Sequence, residues 1–443
     1  MANNSSGSER TYYLKQQSPM LHFQHGDPYA TLRATELKPK LDKFIKEWMR
    51  RKQKDIPDEW KLKKESQKSS ETSPPDNDSQ KGYSQESSAL NYRIRIINQT
   101  GNSVQDPKSY KGLPYFGNMG NNAQGKMLVT AKGLIELYIR CYIGDLLAVI
   151  DECLPTFFLT ANFGTRQDKG FGSFVLCLDE EGCLYERKAV EAMLQYWYKA
   201  KRKEIYCIRY RSQTPALKML TDIDVLYKLL KSGVNVNGVY LKSYLREYFA
   251  GKNVDWEKKS LKQHGIAPAV YSNPAFAPTP LSGNEKYVRG LFGVGDVQQW
   301  FSADSTHRRI VGKNNLKGQP VYKKETISIK SDSNEIKRVP SPLTFKIIGN
   351  AIYILIGDID PRVPGSWFTF SNESGRNHHL QIPYSNEFSI DEIMHGFMNH
   401  VNSNTVRSEF TKWVNKKNPQ KIDDRRPFFI QQGCKIDVLR GQP

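Results

Sequence analysis

The chain has 443 residues, enough for two or three domains of ordinary size. It carries 65 Lys and Arg against 46 Asp and Glu, a formal net charge of +19, which is typical of proteins that bind polyanions. We find neither a secretory leader nor an apolar run of the roughly eighteen residues that a membrane helix needs. These features exclude a membrane-embedded class, so we expect a cytoplasmic protein without a membrane partner.

The basic residues are clustered along the chain. Residues 38–64 hold eleven Lys or Arg against five acids, residues 199–211 hold six against one, and residues 412–426 hold six against two. Tyr and Trp side chains accompany the second cluster, a mixture that is typical of nucleic-acid surfaces. One charge run alone is usually a solvated face, so it is the repetition that indicates a nucleic-acid partner.

Cysteine and histidine spacing favours neither a disulfide framework nor a metal site. The six cysteines include no C-x-x-C pair, and several stand within apolar runs, which indicates small buried residues in a reducing compartment. His395 and His400 are five positions apart, whereas a zinc-binding helix needs a spacing of four. We therefore expect no metal and no cofactor.

The first elements are a strand and an amphipathic helix. A strand is predicted from Thr11 to Phe23, with an interruption at Ser18-Pro19 that suits a sheet edge. Apolar residues then recur at helical spacing from about Thr35, and the opposite face of this helix is basic. Residues 61–88 are polar and nearly free of apolar side chains, so we expect a disordered insertion.

Alternating strands and helices follow the insertion. Residues 135–143 alternate between an apolar face and a polar, aromatic face, which is typical of a strand that covers a core on one side only. The Thr214-Pro215 pair and Gly233 mark the beginning and end of a helix. The other elements predicted here are strands at 92–96, 173–178 and 204–211, and helices at 145–154 and 185–199.

A glycine-rich loop at residues 164–173 is the most informative segment. Glycines let backbone N–H groups approach a ligand closely, and an Arg and a Lys beside them add charge for anionic oxygens. The loop follows neither the Walker nor the Rossmann pattern, and an ordinary hairpin turn with solvated charges is the alternative. The predicted phosphate-binding residues are Gly164, Arg166, Lys169, Gly170, Phe171, Gly172 and Ser173.

The second half begins with a linker and a basic segment. Residues 265–283 are rich in Pro, Gly and Ala and form the best linker candidate, whereas residues 313–338 hold seven basic residues against three acids. A tight hairpin is predicted from residues 344–348 and 351–356, and a helix with a capping box begins at Ser389. Secondary basic contacts to nucleic acid are predicted at Lys313, Lys317, Lys323, Lys324 and Arg338.

These elements predict an α+β class in which helices cover one side of antiparallel sheets. The ferredoxin-like (RRM-like) fold is the leading member of that class, and we expect two such domains. Residues 1–264 form the first, with the disordered insertion inside it, residues 265–283 the linker, and residues 284–443 the second domain. The two halves share a class, although the sequence has no alignable repeat.

Catalysis is the weaker prediction. A histidine close to a ribose 2′-hydroxyl can act as a general base in RNA cleavage, and His22 and His25 stand near the glycine loop if the first strand belongs to the same sheet. A histidine that merely satisfies its hydrogen bonds at a strand end explains both positions more simply. No Ser/His/Asp or Cys/His arrangement is evident.

Three segments resemble the RAMP superfamily of CRISPR-Cas proteins. Residues 164–173 are similar to the family's glycine-rich G-x-R-x-x-x-G-F-G loop, which is the most specific of the three matches. Residues 33–38 occupy the place of the short basic element that opens the first helix, although the usual Pro-Gly-Ser-Ser motif is absent. Residues 338–346 resemble the Ser-Pro-Leu strand of two-domain RAMP subunits in type III, Cmr-type effectors.

The resemblance implies ferredoxin-like domains assembled with other Cas effector subunits around guide or target RNA. It implies phosphate contacts by Arg33 and Lys38 in addition to the glycine loop. It also leaves open a metal-independent RAMP endoribonuclease that processes repeat RNA. A general RNA-binding protein that shares only the RRM-like layer is the third interpretation, and a non-catalytic RNA-binding subunit is the first.

Overall fold

The computed structural model describes residues 3–5, 7–22, 27, 29–62, 89–106, 127–199, 203–236, 239–267, 280–304, 321–333, 335–336, 339–415 and 426–439. The chain forms two compact units. The first comprises residues 1–105, 127–167 and 171–202, and the second comprises residues 106–126, 168–170 and 203–443.

The first unit contains strands β1–β8 and helices α1–α3. Its strands are β1 (Asn3–Ser5), β2 (Glu9–Gln16), β3 (Met20–His22), β4 (Arg93–Ile97), β5 (Asn102–Gln105), β6 (Met127–Ala131), β7 (Ile135–Arg140) and β8 (Phe174–Leu176). Its helices are α1 (Ala34–Arg51), α2 (Gly144–Thr160) and α3 (Arg187–Lys199).

The main sheet of this unit has the order β4-β7-β2-β8, and every neighbouring pair is antiparallel. Strand β1 pairs with the first half of β2, and β3, β6 and β5 form a separate sheet. Along β7 the side chains alternate between buried and half-exposed, as the sequence predicts. The Tyr12 hydroxyl in β2 donates to Asp151 in α2, which places this helix over the buried face.

The helices of the first unit share an aromatic core. Phe44 of α1 stacks on Trp197 of α3 with ring centroids 4.3 Å apart and meets Phe157 of α2 edge-on at 5.4 Å. We predicted that α2 ends at Leu154, but it continues past Pro155 to Thr160. A proline inside a helix removes one hydrogen bond and its ring crowds the carbonyl four residues earlier, and burial of the last helical turn outweighs this cost.

The second unit contains strands β9–β20 and helices α4–α9. Its strands are β9 (Ile205–Arg209), β10 (Val234–Val236), β11 (Val239–Leu241), β12 (Asp255–Trp256), β13 (Glu285–Lys286), β14 (Val297–Asp304), β15 (Val321–Ser331), β16 (Leu343–Ile348), β17 (Ala351–Ile356), β18 (Trp367–Asn372), β19 (Asn377–Gln381) and β20 (Ile436–Val438). Its helices are α4 (Ala216–Lys231), α5 (Tyr244–Ala250), α6 (Glu257–Gln263), α7 (Ile390–Asn402), α8 (Asn404–Asn415) and α9 (Phe428–Gln431).

One sheet of the second unit has the order β16-β17-β9-β20, again with antiparallel neighbours throughout. In chain order, the strands of this sheet and the helices that we compare with them are β9, α4, β16, β17, α7 to α9 and β20. In the first unit the equivalent series is β2, α1, β4, β7, α2 and β8. Its main sheet has the spatial order β4-β7-β2-β8, which corresponds to β16-β17-β9-β20. The four strands of each of these two sheets therefore share one chain order and one spatial order, although we find no alignable repeat in the sequence.

Further strands extend the second unit. Strands β14, β15, β18 and β19 form a four-stranded antiparallel sheet, and β10 and β11 form a hairpin. The short strands β12 and β13 pair in parallel. Helices α5 and α6 are only seven residues long each, and the sequence pattern did not predict them.

Several predictions about the fold are confirmed. The α+β class is correct, the hairpin at β16 and β17 is present, and the Ser389 side chain accepts a hydrogen bond from the Glu392 N–H at the start of α7. Residues 63–88 of the predicted insertion and 268–279 of the predicted linker lie outside the described residues. The boundary at 265–283 stays a prediction. Among the described residues, no helix combines the length and apolar character needed to cross a membrane.

Candidate nucleic-acid interface

The glycine loop, residues 164–173, joins the end of α2 to β8. Its backbone has positive φ angles at Gly164 (81°), Arg166 (59°), Gly170 (84°) and Gly172 (65°). Residues with a side chain rarely adopt such angles, so glycine at three of the four positions is explained by backbone conformation. Arg166 is the exception and carries the strain of that conformation.

The glycines of this loop are packed against protein. A Cβ at Gly172 would overlap the carbonyl oxygen of Phe163, and one at Gly164 would lie 2.7 Å from Cγ of Met20. The Gly172 N–H donates to the Pro19 carbonyl at 2.9 Å, and the Ser173 N–H donates to the Ser18 hydroxyl at 3.0 Å. These two N–H groups, which the sequence analysis assigned to phosphate, thus donate within the first unit.

Lys40 of α1 holds the first part of the loop, a role that the sequence analysis did not assign. Its ammonium donates to the Asn162 carbonyl at 2.8 Å and to Oε1 of Gln167 at 2.5 Å. It also pairs with Glu36 at 2.9 Å, and Glu36 in turn accepts from the Gly164 N–H at 2.8 Å. The i,i+4 spacing of Glu36 and Lys40 was visible in the sequence, but its link to the loop depends on tertiary structure.

The predicted phosphate-binding cations differ in exposure. Arg33 is exposed immediately before α1, and Arg166 is half-buried in the loop. Lys38 donates to the Asp42 carboxylate at 3.1 Å and to the Leu90 carbonyl at 2.8 Å, so its ammonium is engaged within the first unit.

Lys169 belongs to the part of the loop, residues 168–170, that is counted with the second unit. It is only 7% exposed, and its ammonium lies 2.7 Å from the centroid of the Tyr227 ring. Gly170 is also buried there, and a Cβ at this position would lie 2.7 Å from Cδ1 of Ile223. Phe171, counted with the first unit, is fully buried. The loop thus combines one half-exposed cation, Arg166, with residues that hold its shape.

Of the remaining predicted residues, His22 directly follows Leu21, whose backbone pairs with Thr165 of the loop, and four others lie outside the described residues. Lys323 and Lys324 lie in β15, opposite Ser302 and Phe301 of β14. His22 is the last residue of β3 and is opposite Met127. Lys313, Lys317, Arg338 and His25 lie outside the described residues. In the described ranges, no group of three or more His, Cys, Asp or Glu side chains is arranged to hold a metal ion.

Helix α1 presents a basic surface beside the glycine loop. Three exposed cations, Arg33, Lys43 and Arg50, define what we call the α1 stripe. They are separated by ten and seven residues, so they lie on one side of the helix and span about 25 Å at 1.5 Å per residue. The acids on the same side are neutralised, because Glu36 pairs with Lys40 and Glu47 pairs with Arg51 at 2.8 Å. The stripe therefore has a net positive charge.

The open face of the main sheet in the first unit is a second polar surface. Arg95 lies over the Tyr138 ring, 4.6 Å from its centroid, and Arg93 and Arg140 are exposed. Glu9 pairs with Arg140 at 2.6 Å, however, and Glu136 of β7 lies on the same face. Because of its lower net charge, this face is a weaker candidate for a polyanion site than the α1 stripe.

Models of one protein family match most of the chain. The Cmr1 N-terminal domain matches residues 7–234, and the Cmr1 C-terminal domain matches residues 240–420. No match to the chain was found among the curated proteins or among the solved structures. The two matched ranges together cover well over half of the sequence, and the N-terminal domain precedes the C-terminal domain. The chain belongs to the Cmr1 family of RAMP-type subunits, which are components of multi-subunit type III CRISPR-Cas complexes.

Proposed function

We propose that this protein is a non-catalytic RNA-binding subunit of a type III CRISPR-Cas effector and that it holds the backbone of guide or target RNA in antiviral defence. Membership of the Cmr1 family supports the assembly with other Cas subunits, and the net charge of +19 supports a polyanionic ligand. The observation that carries the proposal is the α1 stripe, a net positive surface beside the loop that Lys40 holds in place.

In this proposal the α1 stripe and Arg166 contact phosphates, and the rest of the loop positions Arg166. Lys38 and Lys169 act indirectly, because the first is engaged by Asp42 and the second is buried over Tyr227. Backbone phosphates carry no base identity, so binding of this kind is independent of sequence. It suits a subunit whose RNA ligands vary in sequence.

The fold proposal is more specific than the α+β class. We propose that each unit is a ferredoxin-like domain, and that the protein works in the cytoplasm. The support for the first statement is the repeated strand order β4-β7-β2-β8 and β16-β17-β9-β20, with one helix or helical segment after the first strand and another after the third.

The proposal is tested with a triple variant of the stripe, Arg33→Ala, Lys43→Ala and Arg50→Ala. We expect it to weaken binding of single-stranded RNA by at least tenfold at 0.1 M salt, equally for unrelated sequences. Each lost phosphate contact lowers the slope of log K against log salt by about 0.7, so the slope should fall by about two units. Fluorescence anisotropy over a salt series measures both quantities.

A matched control removes the same charge from elsewhere in the first unit. Lys132, Arg187 and Lys188 are exposed, so their triple replacement by Ala lowers the net charge equally. If the control variant loses as much affinity and salt dependence as the stripe variant, RNA responds to overall charge and the α1 stripe is not the binding surface.

A further inference from the structure

A separate cationic cavity lies within the second unit. It has a volume of about 360 Å³ and is bounded by β11, α5, β12 and α6. This volume lies within the range of about 300 to 1,000 Å³ that is usual for small-molecule sites. None of the residues that contribute to the α1 stripe or the glycine loop lines it.

The charges around the cavity are unbalanced. Its lining includes four cations and one acid, and that acid, Asp255, is paired with Lys259 at 3.0 Å. Arg246 and Lys262 form no salt bridge with any residue that the structure describes. Asp255 interacts with Arg246 at longer range, but no carboxylate of the described chain forms a salt bridge with either cation, so both can contact an anion in the cavity.

The lining also offers aromatic groups. Trp256 is buried, and its indole N–H has no acceptor among the described residues, which leaves a donor for an incoming oxygen. The ring of Tyr240 is exposed by 46%, although its hydroxyl is held by the Ser232 carbonyl at 2.7 Å. A fixed, exposed aromatic ring beside cations is the arrangement on which nucleobases stack.

Lys258 contributes a charge that depends on its surroundings. Burial, with smaller contributions from the charges of Arg289, Lys262 and Arg246, lowers the pKa of its ammonium to about 7, and Glu257 opposes this shift. Asp255, Lys259 and these groups are the charged residues that face it from β12, α5, α6 and the 288–292 segment. A bound anion favours the protonated form, so binding near neutral pH takes up protons.

We propose that this cavity binds one phosphorylated nucleotide, with the phosphate between Arg246 and Lys262 and the base against Tyr240. The same chemistry is present in a free mononucleotide and in a single nucleotide of an RNA strand. Because every lining residue belongs to the second unit, the proposal does not depend on RNA binding by the α1 stripe.

The test uses calorimetric titration of the full chain with AMP, UMP, adenosine and inorganic phosphate. We expect both nucleotides to bind at least tenfold more tightly than adenosine or phosphate. Arg246→Ala with Lys262→Ala should reduce nucleotide affinity at least tenfold. The control is Lys330→Ala with Lys435→Ala, two exposed lysines of the second unit outside the cavity, which should leave affinity unchanged.

Two further variants separate the roles of the lining groups. Tyr240→Leu should lower affinity for nucleotides while leaving that for phosphate unchanged. Lys258→Met should abolish proton uptake, which is measured at pH 7.5 from the dependence of the binding enthalpy on the buffer. Trp256→Phe keeps an aromatic ring but removes the indole donor, so it should also weaken nucleotide binding, and it provides a second measurement if Tyr240→Leu does not fold.

The source of the nucleotide is resolved by comparing free AMP with a short RNA in the stripe variant Arg33→Ala, Lys43→Ala and Arg50→Ala. If RNA still binds to the stripe variant and AMP displaces it, the natural ligand of the cavity is one nucleotide of an RNA strand. If the stripe variant binds AMP but not the short RNA, the natural ligand of the cavity is a free mononucleotide. Equal affinity for phosphate and AMP, absence of binding, or binding unaffected by Arg246→Ala with Lys262→Ala would overturn the proposal.

Discussion

Gly172 shows why glycine is needed at a position that lies inside the protein. Its φ of 65° and the carbonyl of Phe163 both exclude a side chain, while its N–H donates to Pro19. From the sequence alone, the glycines of this loop are predicted to leave space for a ligand. The structure uses that space for the protein's own backbone, and no sequence pattern distinguishes these two uses.

Replacing Gly172 by Ala should therefore destabilise the first unit strongly. Gly375 has a similar φ of 80° but no atom within 4 Å of an added Cβ, so Gly375→Ala is the matched control. We expect the control to cost about 1 kcal/mol from backbone strain alone, and Gly172→Ala to cost at least about 3 kcal/mol. Chemical denaturation measures both, and equal costs would mean that the close approach to Phe163 is easily relieved.

Arg166 combines a positive φ with the predicted phosphate contact. Arg166→Ala and Arg166→Gly remove the same guanidinium, but only the glycine variant also removes the backbone strain. We expect both variants to bind RNA equally weakly, with the glycine variant more stable than the alanine variant by about 0.5 to 1 kcal/mol. RNA anisotropy and thermal denaturation on the same samples separate the two effects. A glycine variant that binds RNA as tightly as the natural protein would contradict the assignment.

His378 of β19 makes the stability of the second unit depend on pH. It stacks on His264 at 3.9 Å and lies 2.8 Å from the Ser260 hydroxyl. Burial, followed by the charges of His264 and His379, lowers the pKa of His378 from 6.5 to about 4. The folded state thus binds the proton less readily than the unfolded state does, and stability falls as the pH drops from about 6.5 to 4.

We expect His378→Gln to lose less stability than the natural protein over that range, by roughly 1 to 2 kcal/mol once solvent exposure is considered. Urea denaturation at pH 7 and pH 4.5 gives the comparison. Parallel pH profiles for the two proteins would show that another group carries the acid sensitivity.

At the scale of elements, most of the predicted helix boundaries lie within about two residues of the observed ones, and the end of α2 is the exception. Helix α1 begins at Ala34, within one residue of the prediction, because its first-turn proline and apolar spacing are local features. The end of α2 was wrong by six residues, because burial against α1 and α3 depends on distant parts of the chain. The seven-residue helices α5 and α6 are too short to give a clear periodic pattern.

Helix α9 is held by one buried carboxylate. Both oxygens of Asp222 in α4 accept hydrogen bonds, from the Phe428 N–H at 2.5 Å, the Phe429 N–H at 2.8 Å and the Tyr210 hydroxyl at 2.5 Å. An asparagine would turn an amide N–H₂ toward a donor. We expect Asp222→Asn to cost about 2 to 3 kcal/mol and to speed amide hydrogen exchange in α9 more than in β17. Uniformly faster exchange would show that α9 is not the element that Asp222 controls.

At the scale of the whole molecule, the pattern of predicted elements indicated the α+β class but not the strand order, and the polyanionic ligand stays a prediction. Pairing of β2 with β7, or of β9 with β17, joins segments more than a hundred residues apart, and no local pattern encodes it. The same applies to the candidate interface. The glycine loop and the basic helix were both found in the sequence, whereas the Lys40 contact that joins them was not.

The net charge of +19 predicts that nucleic acid accompanies the purified protein. We expect an absorbance ratio at 260 and 280 nm that indicates bound RNA at 0.1 M NaCl and its loss at 1 M NaCl, since counterion release weakens binding at high salt. The stripe variant should retain less RNA at 0.1 M than the Lys132, Arg187 and Lys188 control. Retention at 1 M salt would point to contacts other than phosphate.

The shared strand order of the two sheets allows equivalent positions in the two units to be compared. Residues 161–173, including the glycine loop, connect the second helical segment to the fourth strand of the first unit, and residues 432–435 make the corresponding connection in the second. Gly433 has a φ of 65° there, although the connection is much shorter. The corresponding strands of the two units can therefore be matched by their order in the sheet, β2 to β9 and β7 to β17, where the amino-acid sequences cannot be aligned.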